Sequence, residues 1–120
     1  MPVERLSVES LEKIFKNQVN QDALCVVKFY SNGCHFCEAL KDEYLDVASQ
    51  FKDVLFFAFN VDDSPDISHI VKINGVPTIS LVRTGTRRRI LFLEDPAEPH
   101  DTTWYHPGVI ASFIKKEKER

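Results

Sequence analysis

Cysteine is scarce in this chain: three residues in 120, at positions 25, 34 and 37. Three unevenly spaced cysteines exclude a disulfide-stapled scaffold, so an ordinary hydrophobic core must hold the fold. With 43% hydrophobic residues, the length suits a single domain over residues 1–120. Positive charge is also lacking. A net charge of -3 offers no general attraction to nucleic acid or to an anionic membrane surface. No apolar run is long enough to span a bilayer. Glu4, Arg5, Glu9, Glu12, Lys13 and Lys16 crowd the first residues, so these are not expected to act as a secretory signal peptide. A cytoplasmic location is therefore expected, with the endoplasmic reticulum an option only for a processed or excised domain.

What is present alternates between strand and helix patterns. "VERL" (Val3 to Leu6) reads as a short strand, and Ser7 as the N-cap of a helix with Val8, Leu11, Ile14 or Phe15, and Val19 at helical spacing. "ALCVVKFY" (Ala23 to Tyr30) is almost wholly apolar, β-branched or aromatic, as a strand covered on both faces would be. After the turn signal "SNG", the period becomes helical from His35, with Phe36, Leu40, Tyr44, Val47 and Phe51 forming one stripe. "VLFFAFNV" (Val54 to Val61) is a second buried strand. Ser64 and Pro65 then predict a helix start, with Ile67, Ile70 and Val71 facing inward. "PTISLVR" and "RRILFL" flank "TGT", a hairpin centred on Gly85. An irregular stretch, Glu94 to His106, leads to Pro107 and a last helix carrying Val109, Ile110, Phe113 and Ile114, with "KKEKER" fraying into solvent. Long β–α–β crossovers imply parallel pairing, and the hairpin adds an antiparallel edge. The expected fold class is a small mixed α/β sheet of four to five strands with helices on both faces.

The chemistry lies in "GCHFC". Cys34 falls where a strand gives way to a helix, so its sulfur meets the unpaired N–H groups of the first turn. These stabilise an anion and lower a thiol's pKa. Cys37, one turn on, lies on the same face but deeper. An exposed attacker beside a protected resolver suits disulfide exchange. Zinc would need four ligands, and no second cysteine pair exists, so no metal is expected. Two inert core thiols are disfavoured by the turn before Cys34. Cys25, inside its strand, reads as a small buried hydrophobe.

On these residues the chain resembles the thioredoxin superfamily. "VVKFYSNGCHFC", the long helix after it, "FFAFNVDDSPDI" and "INGVPTISLVRTG" occur in the family's order, from about Leu6 to Phe113. "KFYSNGC" is also similar to the "FYAPWC" of protein disulfide isomerase domains. The resemblance implies a thioredoxin fold and dithiol–disulfide exchange on protein substrates. Cys34 would be the nucleophile and Cys37 the resolving thiol. It also implies a cis Val76–Pro77 bond facing them, with Val76 and Pro77 docking an extended substrate strand. It implies no cofactor, but disulfide-containing protein substrates, a redox partner that recycles the pair, and a monomer.

Departures from the pattern mark where this chain is its own. Gly33 replaces a tryptophan that normally forms part of the substrate-facing surface, so the approach to Cys34 should be more open. His35 and Phe36 stand between the cysteines. A protonated His35 would favour the thiolate, whereas a solvated His35 would do nothing. Phe36 reads as the first core residue of its helix. Lys28 replaces a buried acid, and Ala58 stands where the family has a basic partner. Either its charge tunes the cysteine pair or its amine snorkels to water, and the residue type leaves both open. Arg83, Arg87, Arg88 and Arg89 read as solvated edge protection. Trp104 and Tyr105 read as staples for the last helix, with a partner-binding loop as the minority view. His69, His100 and His106 share no spacing and read as surface or capping residues. The competing function is a thioredoxin-fold adaptor with incidental cysteines.

Overall fold

The computed structural model describes residues 3–120. Its elements are β1 (Val3–Arg5), α1 (Val8–Phe15), β2 (Ala23–Tyr30), α2 (His35–Gln50), β3 (Leu55–Asn60), β4 (Thr78–Thr84), β5 (Arg89–Phe92) and α3 (Val109–Lys118). The five strands form one sheet in the order β1-β3-β2-β4-β5. β3 runs parallel to both β1 and β2, while β4 is antiparallel to β2 and to β5.

β2 lies at the centre, and alternation sends its side chains to two separate cores. Leu24 and Val26 join Leu40, Tyr44, Val47, Ile79, Ile110 and Ile114 under α2 and α3. Val27 and Phe29 join Leu11, Ile14, Phe15, Phe59 and Val82 under α1. Ser7 caps α1 as its residue type predicts, its Oγ accepting the Ser10 N–H at 3.1 Å. At the β4–β5 turn Gly85 adopts φ +90°, and a Cβ there would collide with the Asp22 carboxylate. That carboxylate accepts the Thr86 N–H at 3.0 Å, and Asn17 bonds both the N–H and the carbonyl of Gly85.

Three expectations need correction. The helix at Ser64–Pro65 does not form: 3-10 turns at Val61–Asp63 and Ile67–His69 replace it. Gly75 and Pro77 close the run before β4, and Asp66, Ser68, His69 and Val71 are all indifferent helix formers. Ile67, Ile70 and Val71 nonetheless pack inward, against the α1-side core. The connection after β3 also returns β4 antiparallel to β2, so antiparallel pairing is not confined to the last hairpin. Finally, the end of α3 does not fray. Glu117 is buried (3% exposed), meets Arg83 Nε at 2.9 Å and Arg89 Nε at 3.4 Å, and its carbonyl accepts from Arg83 Nη2 at 2.9 Å. Arg83 and Arg89 are cross-strand neighbours on one face, which is why a single carboxylate serves both. Arg88 points the other way and donates to the Phe15 carbonyl at 2.7 Å. These arginines are fasteners more than edge guards.

Glu117→Ala should destabilise the protein by about 2 kcal/mol, because it strands two partly buried guanidinium groups. Glu119→Ala, on the exposed side of the same turn, should stay within about 0.5 kcal/mol of the parent. Denaturant unfolding of both variants checks this, and equal effects would remove the anchoring role.

Candidate active site

The site is built where β2 hands over to α2. Tyr30 ends the strand, Ser31–Gly33 turn the chain, and Gly33 takes φ +75°, a conformation that suits glycine. The turn is fastened to the end of β3: the Asn32 N–H donates to Asp62 Oδ2 at 2.8 Å, and Asn60 Nδ2 donates to Asn32 Oδ1 at 3.0 Å. Cys34 is the N-cap of α2, and its Sγ accepts the Cys37 N–H at 3.1 Å. Cys34 and Cys37 are joined as a disulfide. Cys34 is partly exposed, whereas Cys37 is 4% exposed. In the reduced protein the same N–H and the positive end of α2 favour a negative charge on Cys34 Sγ. A Cβ at Gly33 would meet nothing within 4 Å, so the space beside Cys34 is open on that side.

The Val76–Pro77 peptide bond is cis. Thr78 pairs with Phe29, so Pro77 lies just past the same end of the sheet from which β2 leads to Cys34. Thr78 Oγ1 donates to the Gly75 carbonyl at 2.6 Å and holds the turn before it. Val76 is half-buried and precedes the β4 ladder.

Beneath the cysteines, a cleft of about 650 Å³ is lined by Lys28, Cys34, Cys37, Glu38, Lys41 and Tyr44, among others. Lys28 is 6% exposed and pairs with Ala58 on neighbouring β3, whose small side chain leaves space next to the lysine stem. Its Nζ sits 5.0 Å from the Tyr44 ring centroid and 5.8 Å from that of Tyr30. Burial pushes its pKa below the ordinary lysine value, helped by Lys41 and opposed by Glu38. Cys25 lies on the opposite face, 3% exposed, where burial pushes its thiol up to about 11.

His35 is exposed on the first turn of α2. Phe36 needs correction: it is half-buried, and it packs against Trp104, ring centroids 5.4 Å apart, instead of joining the core. Tyr105, by contrast, is 1% exposed within the α2/α3 core, and its hydroxyl donates to the Pro77 carbonyl at 3.4 Å. Sequence reasoning thus missed that adjacent residues of one irregular segment reach both halves of the site. The aromatic pair Trp104–Tyr105 was the available signal. Among the described residues, no three His, Cys, Asp or Glu side chains are grouped as a metal-ligand set.

Two outcomes follow from burial. Near pH 8, with a pKa of about 11, roughly one Cys25 in a thousand is thiolate. Reduced native protein should therefore take up iodoacetamide first at the partly exposed Cys34, and at Cys25 only after denaturation, as counted by mass spectrometry. Buried Lys28 makes stability depend on pH. Below its lowered pKa, folded and unfolded chains both carry the proton, and the folded state bears the full burial cost. Between that pKa and 10.5 the unfolded chain binds more protons, so stability from this group rises with pH. The stability advantage of Lys28→Met should be largest at neutral pH and shrink towards pH 10.5. A difference that does not change with pH would contradict a buried charge.

The thioredoxin family model matches residues 6–97. A thioredoxin of Mycoplasma genitalium is 32% identical over 74% of this chain and 83% of its own length. The protein disulfide isomerase-like 1-3 of Arabidopsis thaliana is 30% identical over 99% of this chain, which corresponds to 21% of that longer protein. The solved structure of chloroplastic thioredoxin z superposes with a TM-score of 0.72 at 24% identity, covering 100% of this chain and 97% of that one. With Cys34 and Cys37 bonded at the head of α2, the chain is a thiol–disulfide oxidoreductase and belongs to the thioredoxin family.

Proposed function

We propose that Cys34 is the attacking thiolate and Cys37 the resolving thiol in exchange with protein disulfides. One observation carries this reading: the Cys37 N–H is aimed at the Sγ of the more exposed cysteine, at the N-terminus of a long helix. In the reduced protein, Cys34 thiolate attacks one sulfur of a substrate disulfide, and the other sulfur leaves as thiolate. Cys37, deprotonated, then attacks Cys34 Sγ and releases the first substrate sulfur. The substrate gains two electrons, and the protein is left with the Cys34–Cys37 disulfide, which an external dithiol must reduce. The direction of net flow depends on the potential of the pair relative to its partners.

Val76 and Pro77 dock the substrate backbone beside the dithiol, since they lie at the same end of the sheet and outside the β4 ladder. The open space at Gly33 admits the substrate, and exposed His35 borders its path. Lys28 tunes the pair. Its positive charge shares the cleft with Cys37 and favours the thiolate there.

Insulin reduction driven by dithiothreitol tests the core of this reading: wild type should turn over, Cys34→Ser should fall to background, and Cys37→Ser should accumulate a mixed disulfide visible by mass spectrometry. Equal, negligible turnover from wild type and Cys34→Ser would leave a binding module with incidental cysteines. For Lys28→Met, the midpoint of thiol alkylation across about pH 5 to pH 9 should move upward. An unmoved midpoint would reduce Lys28 to packing.

A further inference from the structure

The segment between β5 and α3 has no helix or long strand, yet it is heavily cross-linked. His100 and Trp104 exchange backbone hydrogen bonds at 3.0 and 3.2 Å. His100 Nδ1 accepts the Thr102 and Thr103 N–H groups at 3.1 and 3.3 Å. Thr103 Oγ1 donates to the Tyr105 carbonyl at 2.8 Å. Together these bonds hold Trp104 at φ +66°, in the left-handed region that a bulky side chain rarely enters. The indole N–H donates to Asp95 Oδ1 at 3.1 Å, so the ring is oriented as well as positioned. It stands edge-on to Phe36, one of the two residues between the cysteines, and both residues are only half-buried. The following residue, Tyr105, holds the Pro77 carbonyl.

We infer that Trp104 is a specificity-determining residue: with Phe36 it forms an aromatic wall beside the dithiol that receives an apolar side chain of a protein substrate. This rests on the disulfide-exchange reading above and adds to it the substrate feature selected. A strained backbone, a fixed indole N–H and an incompletely buried residue amount to a preorganised contact surface. Preorganisation of this kind lowers the ordering cost of docking. One side of Trp104 packs against the α2/α3 core, but unlike Tyr105 it is not fully buried, which leaves part of the residue free for a contact. Small disulfides reach Cys34 without touching the wall, so only protein substrates should depend on it.

The test is a single-turnover reaction of pre-reduced protein, whose own dithiol supplies the two electrons. Insulin serves as the protein disulfide and bis(2-hydroxyethyl) disulfide as the small one. For Trp104→Ala, and for Trp104→Gln, which keeps bulk but not apolarity, the second-order rate with insulin should fall by about fivefold or more. The rate with the small disulfide should stay within about twofold, and Trp104→Phe should restore most of the insulin rate. Equal losses with both disulfides would mean that Trp104 merely supports the cysteines, and an unchanged insulin rate would mean that it contacts no substrate. Either result overturns the inference while leaving disulfide exchange intact. Wild type inert towards both disulfides would overturn the exchange reading and this one together.

Discussion

Everything in this molecule hangs on a strand that is covered on both sides. β2 is the middle of five strands, and the helices packed over its two faces oblige Leu24, Val26, Val27 and Phe29 to be apolar whichever way they point. That double burial makes β2 rigid, and rigidity is what its last residue passes on. A cysteine placed just beyond Tyr30 inherits a position fixed by pairing on both strand edges, to β3 and to β4. The first turn of α2 then supplies the N–H that meets its sulfur. Reactivity here is a by-product of where a well-packed strand stops and a helix begins.

Lys28 is the exception within that strand, and its setting explains how it is tolerated. Ala58 beside it and the Tyr44 face near its amine provide space and a partial counter-field, while the cleft leaves the head group a way towards water. The neighbouring loops follow a different rule. Ser31–Gly33 buries little apolar surface and is ordered by side-chain bonds from Asn32, Asn60 and Asp62, whereas the segment before α3 is anchored by buried Tyr105 and shaped by the bonds of His100 and Thr103.

The sequence was most legible where a single physical period dominates. Eight consecutive strand-forming residues from Ala23 to Tyr30 and the helical stripe beginning at His35 coincide with β2 and α2, because burial alone decides them. The cysteine pair at that junction was legible for the same reason. Legibility ended where partners distant in sequence decide the outcome. A nominal Ser-Pro helix start was overruled by the poorly helical residues behind it, which Gly75 and Pro77 close off. Glu117 looked like one more charge in a solvated tail, and only the sheet reveals that Arg83 and Arg89 converge on it. Phe36 carried a core residue's spacing but packs edge-on against an indole contributed by residue 104. Composition records that such a ring exists, not which neighbour it chooses.

That indole belongs to the one tryptophan in the chain. All long-wavelength ultraviolet emission from the folded protein therefore originates at the doorstep of the sulfur pair, unmixed with signal from elsewhere. The molecule carries its own optical gauge, and sulfur redox state, docking of a client or loosening of the nearby turn can be read in real time without attaching a dye.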